Sequence, residues 1–185
     1  MKTIRLETRI NAPVERCFKL ALSVDLHAAP MHSTRDRPTR SMLGVGDTIT
    51  WFSRHFGLRF RYTTLIDRCR PHMYFRDVMV KGMLQSFEHE HHFAVMNDGT
   101  RMRDQLRFSA SGPLAWAIEP VLRRHLIKLL KRRNVIIKQA AQSAAWHRYL
   151  EGSPARKSPH PAATERDLRQ DSRLQPDEAE KLRLA

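Results

Sequence analysis

Cysteine is nearly missing from this chain. Cys17 and Cys69 are the only two. Two isolated cysteines build neither a disulfide framework nor a thiolate metal site, which excludes a cystine-stapled scaffold and a zinc finger. Also lacking is any apolar run near the roughly 18–20 residues that span a bilayer. The N-terminus has no apolar stretch of the signal-peptide kind, and Lys2 to Ile10 alternates instead. These absences predict a reduced, cytoplasmic protein. No zinc-ligand pairs or RNP-type aromatic stretch occur, so nucleic acid is not the expected partner.

What is present is a basic, core-forming chain. Hydrophobic residues make up 41% of the 185, enough to close a core, and the formal net charge is +14. From Glu151 onward seven basic and seven acidic residues cancel, so the whole excess lies on residues 1–150. A basic domain suits anionic partners, an acidic lipid surface among them. Beyond Gly152 the segment is punctuated by Pro154, Pro159, Pro161 and Pro176 and carries few large apolar residues. Residues 151–185 are therefore predicted to be a disordered polar tail.

Along residues 1–150 the hydrophobic period changes from two to 3.6. Ile4, Leu6, Thr8 and Ile10 alternate with polar residues, as a half-buried strand requires. Asn11 is placed to cap the next helix and Pro13 suits its first turn; Val14, Cys17, Phe18, Ala21 and Leu22 give that helix an apolar face. His27, Met31 and His32 fit a second short helix. Gly44-Val45-Gly46-Asp47 and His55-Phe56-Gly57 read as turns. Strands are expected from Thr48, over Leu58–Ile66, Met73–Lys81, Ser86–Met96 and Thr100–Ala110, with a hairpin at Asn97-Asp98-Gly99.

The stretch from Gly112 to Leu150 reads as one long amphipathic helix. Leu114, Ile118, Leu122, Leu126, Leu129, Leu130, Ile136, Ile137, Ala140 and Ala144 gather on one side. Arg123, Arg124, Lys128, Lys131, Arg132 and Lys138 gather on the other. Arg133 breaks the pattern by projecting onto the apolar side. Pro120 removes a hydrogen bond and crowds the preceding turn, so a break near Glu119 is expected, with the main helix from about Pro120 to Tyr149. Trp146 and Tyr149 then either cap the core or anchor a membrane edge. The predicted fold is α+β: a curved six-stranded antiparallel sheet wrapped around a long C-terminal helix, with two short helices after the first strand.

Several segments together resemble the SRPBCC superfamily of START-like and birch-pollen-allergen-like helix-grip proteins. Ile10 to Phe18 resembles that superfamily's first strand-to-helix entry. Gly44 to Trp51, followed by His55-Phe56-Gly57, is similar to a bacterial subgroup, as are Phe75-Arg76-Asp77, Phe87 to Phe93 and Asp98 to Asp104. The likeness covers residues 1 to about 150. It implies a pocket for lipids, quinones, polyketides or similar molecules. Some members are cyclases, hydrolases or dehydratases, and many only bind or transport. No universal catalytic motif exists to carry over.

The strand registers also place polar groups inside. Period two puts His89 and His91 on the face of Phe87 and Phe93, Asp104 with Met102 and Leu106, and Asp77 with Phe75. If these strands are neighbours, two histidines and two carboxylates meet beneath the long helix, with Arg133 coming from its apolar side. Three readings stay open: a satisfied buried network, a polar anchor for a ligand, or acid–base or metal chemistry. The expected lining is Trp51, Phe60, Tyr62, Phe75, Phe87, Phe93, Met102, Leu126 and Leu129, with Asp77, His89, His91, Asp104 and Arg133 at the polar end. No metal, cofactor or catalytic residue is assigned. The expected function is binding of a hydrophobic or amphipathic small molecule. The alternatives are an enzyme using the same His and Asp residues, or a membrane-peripheral protein working through its basic helix face.

Overall fold

The computed structural model describes residues 1–28, 33–34, 42–55 and 58–150. Chain order is β1 (Lys2–Ile10), α1 (Val14–Leu22), α2 (Val24–Ala28), β2 (Ser33–Thr34), β3 (Thr48–His55), β4 (Leu58–Arg70), β5 (Tyr74–Lys81), β6 (Leu84–Met96), β7 (Gly99–Ala110), α3 (Ala115–Ala141) and α4 (Trp146–Leu150). The expected tail, the Phe56-Gly57 turn, and Met31 and His32 lie outside the described residues.

The six expected strands form one antiparallel sheet, extended at its edge by the two-residue β2, in the order β1-β7-β6-β5-β4-β3-β2. First and last long strands are neighbours: Ile4 faces Leu106 and Thr8 faces Met102. Alternation puts Met102, Asp104, Leu106 and Phe108 of β7 on the buried side. On β6 the buried register ends at Phe93, because Val95 lies beyond the helical cover and is exposed.

Helix α1 starts at Val14 with Pro13 as its cap residue, and no side chain caps it. Asn11 therefore does not take the capping role expected of it. The carbonyl of Pro13 accepts from the Cys17 amide at 3.1 Å, so the turn closes without a side chain. Phe18 of α1 meets Phe75 and Phe93 edge-on at centroid distances of 5.9 and 5.4 Å. Such contacts contribute about 1 kcal/mol each beyond their burial.

The long helix differs from expectation in two ways. It begins at Ala115 and runs through Pro120 without ending. Pro120 is exposed, and so is Trp116, whose carbonyl loses the Pro120 partner at a position open to solvent. The helix also stops at Ala141, and a separate turn, α4, follows after Gln142. There Trp146 and Tyr149 pack partly buried against the main core, and the Arg16 guanidinium sits 4.5 Å from the Trp146 ring. Both therefore pack at the edge of the core.

The core has two parts. The larger joins α1, α2 and the sheet to Ile137, Ala140 and Ala141 at the C-terminal end of α3. The smaller, Ile4, Leu106, Phe108 and Leu130, lies under the middle of α3, with Leu84, Leu122 and Leu126 half-buried around it. Between them α3 presents Arg133 and Asn134, both buried, to the sheet.

Candidate functional site

Cross-strand pairing builds the site. Asp77 of β5 stands opposite His89 of β6, and His91 of β6 stands opposite Asp104 of β7. All four side chains point inward and all are buried. Neighbours on one face of an antiparallel sheet lie close enough for direct and diagonal contact. His91 Nδ1 lies 2.9 Å from Asp104 Oδ1, and His91 Nε2 lies 3.0 Å from Asp77 Oδ1. His89 Nε2 lies 3.1 Å from the same Asp104 oxygen, and His89 Nδ1 lies 3.7 Å from Asp77 Oδ1. The two imidazoles stand 3.8 Å apart between two carboxylates. Phe75 stacks on the far side of His91 at 4.1 Å.

Helix α3 closes the cluster. Asn134 Nδ2 donates to Asp104 Oδ2 at 2.6 Å and reaches Thr8 Oγ1 at 3.2 Å. One Arg133 amino group lies 3.6 Å from Asp104 Oδ1 and 3.3 Å from His91 Nδ1; the other donates to the Ala21 carbonyl at 3.2 Å. Asn134 was not foreseen, although it follows Leu130 by four residues and precedes Ile137 by three, the spacing of the apolar stripe.

Burial alone would raise the Asp104 carboxyl, but hydrogen bonds from His89 and His91 outweigh it and hold the group well below the usual carboxylate range. Burial, then the neighbouring His91, pushes the His89 imidazole down. Burial also lowers the Arg133 guanidinium, against the pull of Asp104 and Asp77. Burial and then Asp77 push the Tyr62 phenol above its ordinary value. Elsewhere, burial raises the Cys17 thiol, which keeps it protonated and poorly nucleophilic.

A cavity of about 70 Å³ opens beside the cluster, lined by Trp51, Tyr62, Thr64, Asp77, Phe87, His89, Leu126, Leu129, Leu130 and Arg133. Eight of these were expected from the sequence; Thr64 and Leu130 were not. Thr64 accepts a hydrogen bond from the Trp51 indole at 2.9 Å and so fixes that wall. Phe75, Phe93 and Met102 pack in the main core, away from the cavity. His91 and Asp104 sit behind its polar end. The Phe60 side chain lies outside the described residues.

The fold has solved counterparts. A Thermus thermophilus protein, TTHA0849, superposes with a TM-score of 0.60 at 20% identity, over 77% of this chain and all of the other. A START superfamily protein of Mycobacterium smegmatis superposes at 0.57 and 10% identity, over 74% and 97%. The di-domain ARO/CYC StfQ of the steffimycin biosynthetic pathway superposes at 0.61 and 10% identity, over 77% of this chain and 52% of that one. The fold is therefore the helix-grip fold of START-type proteins. No protein-family model matches the sequence, and no curated protein matches it.

Proposed function

We propose that the protein binds a hydrophobic or amphipathic small molecule between the sheet and the middle of α3. The observation that carries this reading is the composition of the cavity wall. Trp51, Tyr62, Phe87, Leu126, Leu129 and Leu130 supply apolar surface, while Asp77, His89 and Arg133 converge at one end. That is the usual make-up of a small-molecule site: apolar walls and a few placed polar groups. A cavity of about 70 Å³ takes only the end group of a lipid-sized molecule; whole ligands occupy roughly 300 Å³ or more. The remainder would lie beneath the first half of α3, where the core is smallest. A cytoplasmic location and a domain of residues 1–150 with a separate tail belong to the same reading.

Native mass spectrometry of the purified full chain tests it. A co-purified small molecule that is absent from Leu130→Trp supports the proposal. An empty spectrum, together with no uptake of a fluorescent fatty-acid probe, sinks it. A cyclase-, dehydratase- or hydrolase-type enzyme is the alternative on the same residues. A binder keeps most of its affinity when His89 and His91 become Asn, whereas an enzyme keeps binding and loses turnover.

A second surface supports contact with an anionic membrane. Leu114, Trp116, Ile118 and Val121 are exposed at the start of α3; Trp116 is 76% accessible. Ser111 ties this end to the exposed Met83 by donating to its carbonyl at 3.1 Å. Arg123, Arg124, Lys128, Lys131 and Arg132 follow on the exposed helix surface. Basic residues at an anionic surface contribute about 1 kcal/mol each. Co-sedimentation with phosphatidylserine vesicles should exceed that with phosphatidylcholine, and should fall in Trp116→Ser and in a Lys128→Glu, Lys131→Glu pair. Equal sedimentation in all cases removes this surface from consideration.

A further inference from the structure

We propose that Asp77, His89 and His91 form a site for a divalent transition metal, with Asp104 as the carboxylate that orients both histidines. The ligand atoms of these three residues lie within 4.8 Å of one another, and all three residues are buried.

Proton placement on the ring nitrogens decides the chemistry. Asp104 accepts from Asn134 on one oxygen and faces His89 Nε2 and His91 Nδ1, at 3.1 and 2.9 Å, with the other. An ionised carboxylate only accepts, so both facing nitrogens must be the N–H donors. The Arg133 contact to His91 Nδ1, at 3.3 Å, is the longer one and yields to it. Neutral imidazoles with those tautomers have lone pairs on His89 Nδ1 and His91 Nε2. Both face Asp77 Oδ1, at 3.7 and 3.0 Å. The same rule applied to Asp77 leaves two occupants for this buried space: a second proton on His91, donated to Asp77, or a cation held by all three residues.

Two features favour a metal as that cation. A histidine that donates its second ring nitrogen to a carboxylate is the outer-shell arrangement of metal-binding histidines, and here one carboxylate serves both. Two imidazoles and one carboxylate suit zinc or iron(II) and leave coordination positions open. Those positions face the cavity, since Asp77 and His89 line it while His91 lies behind. Charge points the same way. Asp77 and Asp104 against Arg133 leave the cluster at −1 with neutral imidazoles. A dication brings it to +1, which an anionic oxygen ligand, a carboxylate or an enolate, would cancel. Arg133 at the cavity edge would pair with that same group. The choice of ligand rests on reading the cavity as the binding site; the three protein ligands do not.

The test uses the full chain, stripped with chelator and titrated with Co²⁺ and Zn²⁺. One equivalent of Co²⁺ should give visible d–d bands and be displaced by Zn²⁺. Asp77→Asn and His89→Asn should lose the bands with an unchanged far-ultraviolet spectrum. Asp104→Asn, which keeps all three ligands, should weaken binding roughly 10- to 100-fold. Equal affinity in all variants would mean adventitious binding at surface histidines and overturns the proposal. Absence of bands in the wild type overturns it too, and assigns the space to a proton. Should the variants fail to fold, X-ray absorption on the wild-type zinc form decides: two imidazoles at about 2.0–2.1 Å support the site, and their absence ends it. A metal-free protein that still co-purifies with an apolar molecule refutes the metal and leaves the cavity reading standing.

Discussion

His91 and Asp104 are direct cross-strand partners, and the imidazole Nδ1 of the first lies 2.9 Å from a carboxylate oxygen of the second. Neither side chain has access to water. Other polar groups converge on that pair: His89 shares the same oxygen, and Asn134 and Arg133 reach Asp104 from the helix. Removing a carboxylate so placed is costly, because its partners stay behind buried.

Asp104→Ala should therefore cost about 3–5 kcal/mol of stability, the penalty for leaving buried partners uncompensated. Asp104→Asn keeps the shape and should cost less. Arg133→Met alone should also destabilise, since it leaves two buried carboxylates without their guanidinium. Combined with Asp104→Asn it should cost less than the sum of the two. Urea unfolding of the four proteins measures this coupling, and strict additivity would mean that Arg133 and Asp104 do not interact.

Acid sensitivity has a further source in β4 and β5. Hydrogen bonding and charge from Arg76 hold the Asp67 carboxyl below its ordinary value, against a smaller effect of burial. Arg76 Nε contacts both Asp67 oxygens, at 3.0 and 3.1 Å. A depressed carboxylate contributes stability that is present above its unfolded pKa, about 3.9, and lost as pH falls through the lower folded value. The pair is partly exposed, so the effect is at most about 1 kcal/mol. Arg76→Gln should flatten the stability curve below about pH 4 and leave its shape at pH 7 unchanged. Thermal melts across that window check it.

Gly99 holds the turn from β6 to β7 at φ +141°, where L side chains are rarely found. A Cβ there would run into the Ile10 carbonyl and come within 2.9 Å of the Asn11 Cα, where β1 ends. Gly99→Ala should destabilise by more than about 1 kcal/mol, whereas Gly46→Ala, at φ +91° with open space, should carry the conformational cost alone. Calorimetric melting temperatures of the two variants give the comparison.

Much of this was legible in the chain. Period-two alternation places Met102, Asp104, Leu106 and Phe108 inward without any coordinates, because a pleated strand has only two faces. The same rule puts His89 and His91 together, and a helical period singles out Arg133. Less legible was Pro120, whose cost depends on whether the freed carbonyl meets water. The contact of Trp146 with Arg16 was not legible either, because it depends on where α4 lies. The exposed patch around Trp116 was hidden, because Leu114 and Ile118 belong to the apolar stripe that is buried further along.

The sequence by itself determined which side chains share a face of each element: that follows from local backbone geometry and repeats along each element. Only the tertiary structure decided which inward groups meet. The pairing of β5 with β6 and of β6 with β7 is non-local, and it brought Asp77 to His91 and Asp104 to both histidines. The same packing brought Asn134 to Asp104 and shrank the space beside them to about 70 Å³. Distances of about 3 Å between residues many positions apart are set by strand register and helix docking, and no periodicity in the chain encodes them.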